Sequence, residues 1–417
     1  MNPDDLYKSS LERKLKLLLR NEPDIKFWDI VRKCGGAYPI DIRDCLEGLA
    51  KRGEIDSVDR LCSFSSPSGS VAHRTSGRYE PDDKRYYCNV PDSMLPLPHP
   101  LDYDWRFTAR ARKFLVSKII LRLEREGGVG VFGAPSLFLD LEASKIDSVL
   151  VDRNPLLVER LGAVAADRVI CADLFAPLPA VLRCQVIIAD PPWYPEFYEA
   201  FVVRSAEALV EDGYLLLSML PYLTRPGAIL DRSRIEEFCS RVGFDLVECG
   251  EANLSYESPP FEQESLHAQG LDCEQWRSGD LYIFRKVGEL EGGVRVGPRQ
   301  DEGTWSTIEL GRLVVKIKLS RCSSGRFLVE PASGQGSVLT SVSRRAPERG
   351  RIDLWTSRNK AYCISRSDVI MHALRDLSHG SLQDRVQSTV AAFRLSPAEA
   401  LSVTNLLTEL LEDSRSI

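Results

Sequence analysis

The feature that most constrains this chain is a series of short apolar segments in its middle third, most ending in a glycine or an aspartate and most separated by helical patterns. Residues 129–133 are one, with Val129, Val131 and Phe132 running into Gly133. Residues 148–152 and 184–190 end in Asp152 and Asp190, and residues 168–173 end in Asp173. A fifth segment covers 213–219. Helical patterns fall at 155–164, 196–210 and 233–242, and another helix, 109–126, precedes the series and stops at Gly127-Gly128. Short apolar strands alternating with helices predict a mostly parallel sheet covered on both faces. The alternation then stops. Segments 244–249 and 280–285 follow with no helical pattern between them, which predicts an antiparallel pair closing a sheet of seven strands.

The rest of the chain divides around this block. At 417 residues the chain is too long for a single core. The expected divisions are an N-terminal module over 1–87, a linker over 88–103, the α/β domain over 104–287, and a C-terminal α+β domain over 292–417. In the first module Leu11, Leu15, Leu18 and Leu19 share a helix face. Phe27, Ile30 and Val31 mark a second helix, and Ile40, Ile42, Leu46 and Leu49 a third. A candidate wing strand lies at 54–58. The pattern resembles a winged helix-turn-helix, whose third helix would bring Arg43, Lys51 and Arg52 near phosphate. Its balanced charge suits a protein-contact module at least as well.

Composition excludes some classes. The net charge of -6 argues against a surface coated in basic residues, though not against a local basic groove. No run of about 18 apolar residues predicts a membrane span, and no N-terminal pattern resembles a signal peptide. The 11 cysteines are scattered without a C-x-x-C pair, and the 5 histidines lack ligand spacing. The expectation is a cytoplasmic protein with reduced thiols, no metal site and no membrane association.

Five alternating strands with a closing antiparallel pair resemble the class I methyltransferase fold, a Rossmann-like sheet, over residues 104–287. In such sheets the ligand binds at the carboxyl ends of the strands, where strand order reverses. The resemblance implies a cofactor, S-adenosylmethionine. It implies that Asp152 accepts from the ribose hydroxyls and that Asp173 meets the adenine amino group. The alternative for either carboxylate is to cap the helix that follows it. The family's glycine turn is G-x-G, where bare backbone approaches the methionine part of the cofactor. Here the turn reads Gly133-Ala134-Pro135-Ser136. Gly133 matches, Ala134 is small enough for close approach, and Pro135 suits the first turn of a helix.

The fourth strand ends in Asp190-Pro191-Pro192-Trp193. Methylating an exocyclic amine requires acceptors that hold its N–H groups and favour a tetrahedral nitrogen. The Asp190 carboxylate and the Pro191 carbonyl supply two, and the prolines stiffen the turn because each fixes its own φ. Trp193 is placed to stack on a planar base or to wall the pocket. The motif resembles that of the amino-methyltransferases of the DPPY/DPPW type, which act on adenine N6 or cytosine N4. The alternative is a stiff strand-to-helix turn with Trp193 packed as core.

A second resemblance competes. The N-terminal helices, the linker, Trp105-Arg106-Phe107-Thr108 and the Asp-Pro-Pro-aromatic motif together look like the branched-chain polyamine synthases. These transfer an aminopropyl group from decarboxylated S-adenosylmethionine to a polyamine. Their glycine turn carries acids where this chain has Ala134-Pro135-Ser136. The expected function is therefore amino-nitrogen methylation, a nucleic-acid base being the first candidate acceptor. Aminopropyl transfer is one alternative. An inactive binding module, with a protein partner on its flanking domains, is another. The stretch 253–278, with Tyr256, Phe261 and several glutamates, is a candidate lid. In the C-terminal segment Arg344, Arg345, Arg349, Arg351, Arg358 and Lys360 surround Trp355. That pattern suits a phosphate-tracking strip with a stacking ring, or a solvated basic face.

Overall fold

The computed structural model describes residues 2–55, 94–124, 127–272, 275–289, 294–298, 303–319, 325–334, 336–375 and 381–415. The chain forms two compact units. The first comprises Met1–Leu95, Trp105–Ser258 and Asp272–Arg299, and the second Pro96–Asp104, Pro259–Leu271 and Gln300–Ile417.

The first unit opens with three helices: α1 (Pro3–Asn21), α2 (Phe27–Lys33) and α3 (Pro39–Lys51). Leu11, Leu15, Phe27, Ile30, Ile42, Leu46 and Leu49 bury their apolar stripes together. The Tyr7 hydroxyl donates to Asp41 at 2.7 Å and ties α1 to α3. Arg43 lies beside Asp44 and Glu47, and Arg52 pairs with Glu12 and Glu54. A phosphate would have to compete with these acids. Most of the wing strand expected at 54–58 lies outside the described residues, as do residues 88–93 of the expected linker. The helices belong to the same compact unit as the sheet. Leu223 donates its N–H to the Gly35 carbonyl at 2.9 Å, and the Tyr38 and Trp276 rings meet edge to face at 5.5 Å.

The sheet is built from β1 (Gly128–Phe132), β2 (Ser148–Asp152), β3 (Val169–Cys171), β4 (Cys184–Ala189), β5 (Leu209–Met219), β6 (Phe244–Ser255) and β7 (Ser278–Lys286). Its order is β3-β2-β1-β4-β5-β7-β6. The first five strands are parallel, and β7 runs antiparallel between β5 and β6. Ile187 and Ile188, and Leu215, Leu216 and Leu217, are successive residues that are all fully buried. Neighbouring side chains on a strand point to opposite faces, so both faces are covered at the centre. This is the mixed, mostly parallel seven-stranded sheet that fits a class I methyltransferase fold.

The helices around the sheet are α4 (Ala109–Ile120), α5 (Pro135–Ala143), α6 (Pro155–Ala165), α7 (Pro195–Ala208) and α8 (Ala228–Arg241). Thr108 caps α4 by accepting from the Ala111 N–H, and Pro135, Pro155 and Pro195 each open a helix where a missing N–H costs nothing. Two expectations need correction here. The third strand is only Val169–Cys171, so Asp173 sits in the following loop and not at the strand end. A helix, α9 (Pro260–His267), does separate the last two strands. Its apolar signal is short because only Phe261 and Leu266 are large buried hydrophobics. Residues 259–271 belong to the second unit.

The second unit carries an antiparallel sheet of order β10-β12-β11-β9-β8. Its strands are β8 (Trp305–Leu310), β9 (Leu313–Lys318), β10 (Val329–Pro331), β11 (Leu354–Thr356) and β12 (Ala361–Ile364). Helices α10 (Ser367–Leu374), α11 (Leu382–Phe393) and α12 (Pro397–Arg415) complete it. Val315, Ile317, Leu354, Ile370, Leu407 and Leu410 form its core. Trp355 is 1% exposed and its indole N–H donates to Asn359, so it is not an open stacking platform. Arg358 pairs with Glu264, and Lys360 with Glu409 and Asp413, which breaks up the basic strip. Among the described residues no helix is long and apolar enough to cross a membrane.

Candidate active site

Strand order reverses between β1 and β4, so the loops after these two strands flank the crevice in which such sheets hold ligands. Gly133 follows β1 and Asp190 follows β4. The Asp190 N–H donates to the Phe132 carbonyl at 3.0 Å, and the Gly133 N–H to the Val151 carbonyl at 3.1 Å. Gly133 has φ of 71°, and a Cβ there would lie 3.2 Å from the Asp190 carbonyl oxygen and 3.3 Å from the Phe201 ring. The turn is therefore built for glycine on both conformational and steric grounds. Ala134 has φ of -128°, an ordinary value, and Pro135 begins α5. Ser136 is buried, and its hydroxyl has no hydrogen-bond partner among the described residues.

Asp152 is the last residue of β2 and is partly exposed. Its Oδ1 accepts the Asn154 N–H at 2.8 Å, and Asn154 in turn caps α6 through the Leu156 N–H. Asp173 makes the same local turn, accepting from the Phe175 N–H at 3.1 Å. The Ala172 N–H donates to the Asp152 carbonyl, which brings the two loops side by side. Both carboxylates thus hold a local turn in addition to any ligand role, and neither caps a helix. The donors and acceptors at this edge suit an adenosyl ligand: two partly exposed carboxylates, a glycine with no room for a side chain, and an unsatisfied serine hydroxyl.

Asp190 is partly exposed, and its Oδ1 accepts from the Tyr256 hydroxyl at 2.8 Å. The Tyr256 and Ser218 hydroxyls lie 2.6 Å apart, and the Tyr198 hydroxyl donates to the Ser218 carbonyl at 3.1 Å. Burial, and then the nearby Asp190 charge, push the Tyr256 phenol well above its ordinary range, so it stays protonated. Burial does the same to Tyr198. Gly279 on β7 makes room for this cluster, since a Cβ there would meet Ser218, Trp193 and Tyr256 at 3.3–3.4 Å.

Trp193 is 6% exposed, and its ring faces are not open to a base. The Arg277 guanidinium lies 3.9 Å from its ring centroid, and the same guanidinium lies 4.2 Å from Trp105. Tyr256 meets Trp193 edge to face at 5.8 Å. As placed, Trp193 is packed as core, the alternative the sequence left open, and is not a platform for stacking. The turn is held from the other side by Arg225, which donates to the Trp193 carbonyl at 2.7 Å and pairs with Asp231. Two guanidiniums therefore stand beside the Asp-Pro-Pro-Trp turn.

The structure gathers Gly133, Ala134 and the turn from Asp190 to Trp193 at one sheet edge, with Asp152 at the end of β2 and Asp173 in the loop after β3. Sequence reasoning missed Ser218, Arg225, Arg277 and Gly279, and placed Tyr256 in a lid. The alternation of buried Leu254 and Tyr256 along the end of β6 was the available signal for Tyr256. Among the described residues no group of three or more acids, cysteines or histidines is arranged to hold a metal ion.

No family model matches the chain, and no curated protein matches it in sequence. Among solved structures it is similar to a mutein of the branched-chain polyamine synthase from Thermus thermophilus, in complex with N4-aminopropylspermidine and 5'-methylthioadenosine. That match has 18% identity and a TM-score of 0.51, and covers 70% of this chain and 90% of the other. A TehB-like SAM-dependent methyltransferase from Corynebacterium glutamicum matches with 15% identity and a TM-score of 0.30, covering 43% of this chain and 89% of the other. At 18% identity the likeness to the polyamine synthase is one of fold.

Proposed function

We propose that this chain is an S-adenosylmethionine-dependent transferase that methylates an amino nitrogen, a nucleic-acid base being the first candidate acceptor. The observation that carries this reading is the placement of Asp190 at the switch point, with its backbone carbonyl beside Gly133 and its carboxylate accepting from the Tyr256 hydroxyl. Asp152 and Asp173 would hold the adenosyl part of the cofactor, and Gly133, Ala134 and Ser136 would face its methionine part. When bound, S-adenosylmethionine supplies an electrophilic methyl group.

The protein's own contribution is position and charge. Asp190 would accept one N–H of the acceptor amine and the Pro191 carbonyl a second, which localises the nitrogen lone pair. Pro191 and Pro192 keep that carbonyl in place. Trp193, fixed by Arg277 and Arg225, would wall the pocket and keep water from the amine. The experiment is to incubate the full chain with S-adenosylmethionine and a panel of nucleic acids, nucleotides and polyamines, and to measure S-adenosylhomocysteine. Product with one acceptor, reduced about 100-fold or more in Asp190→Asn, supports the reading. Full activity in that variant contradicts it.

Aminopropyl transfer stands as the second reading because the likeness to the polyamine synthase extends over 70% of the chain, well beyond the sheet. Against it stands the acid-free Ala134-Pro135-Ser136 turn. Release of 5'-methylthioadenosine from the decarboxylated cofactor would decide in its favour.

A further inference from the structure

We propose that Tyr256 is a positioning residue for Asp190, and that Trp105, Phe107 and Ser218 exist at this edge to hold it. The inference rests on the transferase reading above. An ionised carboxylate only accepts hydrogen bonds, so the Tyr256 hydroxyl spends its single proton on Asp190 Oδ1. The 2.6 Å contact with Ser218 must then run from the serine hydroxyl to the phenol oxygen. The direction of the chain is thus fixed as Ser218 to Tyr256 to Asp190. Each donor polarises the next, and all of it is buried except the carboxylate.

The backbone around Tyr256 is fixed on both sides. Its N–H donates to the Arg277 carbonyl at 3.0 Å. The Thr108 N–H donates to the Ser255 carbonyl at 2.9 Å, and the Glu257 N–H to the Arg106 carbonyl at 2.8 Å, so the 106–108 segment pairs with the end of β6. The phenol ring packs against Phe107 at 4.9 Å, and Trp105 approaches it edge-on at 6.5 Å. A side chain so enclosed has one available rotamer, and its hydroxyl can reach one place. The bond occupies one of about four lone-pair directions on the carboxylate. It therefore fixes the orientation in which the carboxylate would meet an amine.

The test is carbon-13 NMR of the full chain with labelled aspartate carboxylates, with the Asp190 signal identified by its loss in Asp190→Asn. Tyr256→Phe keeps the ring and removes the donor. Its Asp190 midpoint should rise by about 1 pH unit or more. Ser218→Ala should raise it by less, and Tyr198→Phe, which deletes an equally buried phenol not bonded to Asp190, should leave it in place. An unmoved midpoint in Tyr256→Phe overturns the proposal. If that variant does not fold, an unmoved midpoint in Ser218→Ala overturns it instead. Calorimetric titration of the unmodified protein with S-adenosylmethionine tests the underlying reading separately. No binding there removes the transferase reading, and the positioning role with it, whatever the carboxylate does.

Discussion

Gly133 and Asp190 meet at the carboxyl edge of the sheet, where a Cβ on residue 133 would lie 3.2 Å from the Asp190 carbonyl oxygen. The glycine turn and the Asp-Pro-Pro-Trp turn are therefore one structural unit, although β2, β3 and the helices between them separate the two in sequence.

The first prediction follows from that contact. Gly133→Ala places a side chain at φ of 71° and against a carbonyl that β4 cannot withdraw. It should destabilise the protein by about 1–2 kcal/mol and weaken S-adenosylmethionine binding by about tenfold or more. Ala134→Gly, at φ of -128°, should do neither beyond a few tenths of a kcal/mol. Urea unfolding and calorimetric titration of both variants check this.

A second prediction concerns the pin between β5, α8 and β7. Arg232 is 1% exposed and donates to Asp280 at 2.6 Å, to the Tyr282 hydroxyl at 2.7 Å and to the Leu220 carbonyl at 2.5 Å. Its guanidinium lies 3.7 Å from the Tyr222 ring centroid. Asp280→Ala leaves a buried guanidinium without its counter-charge and should cost about 3–5 kcal/mol in urea unfolding. The double change Arg232→Met with Asp280→Leu should cost clearly less than the single one. Equal losses would contradict the account.

In the second unit the prediction is a pH dependence. His99 is fully buried, accepts the Leu101 N–H at Nδ1 (3.1 Å) and donates from Nε2 to the Trp355 carbonyl (2.9 Å). Accepting at Nδ1 requires the neutral ring, whereas the Nε2 bond survives protonation. Burial, and then the charge of Lys316, push its pKa from 6.5 to about 3. The unfolded chain takes up the proton first. The stability His99 contributes is thus complete above about pH 6.5 and is lost as pH falls toward 3. His99→Gln should be less stable than the unmodified protein at pH 7.5, and that gap should narrow by pH 4. Thermal unfolding at both values measures it.

How much was legible follows from what each element buries. β1, β4 and β5 are covered on both faces, so they appear in the sequence as continuous apolar runs, and their order predicted the sheet. Pro135 and Pro155 marked helix starts for the same local reason. β3 is short and partly exposed, and its apolar run blurred into the Asp173 loop. α9 has few large buried residues, and α11 buries only part of Leu382, Val386 and Val390, so neither announced itself. The site divides in the same way. Gly133, Asp152 and Asp190 could be found because strand ends are local features. Tyr256, Ser218 and Arg277 reach the site through tertiary pairing, and Arg277 covers the Trp193 ring, which is packed as core.

The measurement that tests the central claim most directly is isothermal titration of the full chain with S-adenosylmethionine, with the decarboxylated form alongside. The account predicts binding of the ordinary cofactor in the micromolar range, weakened at least about tenfold by Asp152→Ala. Tighter binding of the decarboxylated form would move the assignment to aminopropyl transfer. Heat from neither ligand would contradict the claim that this sheet edge is a cofactor site.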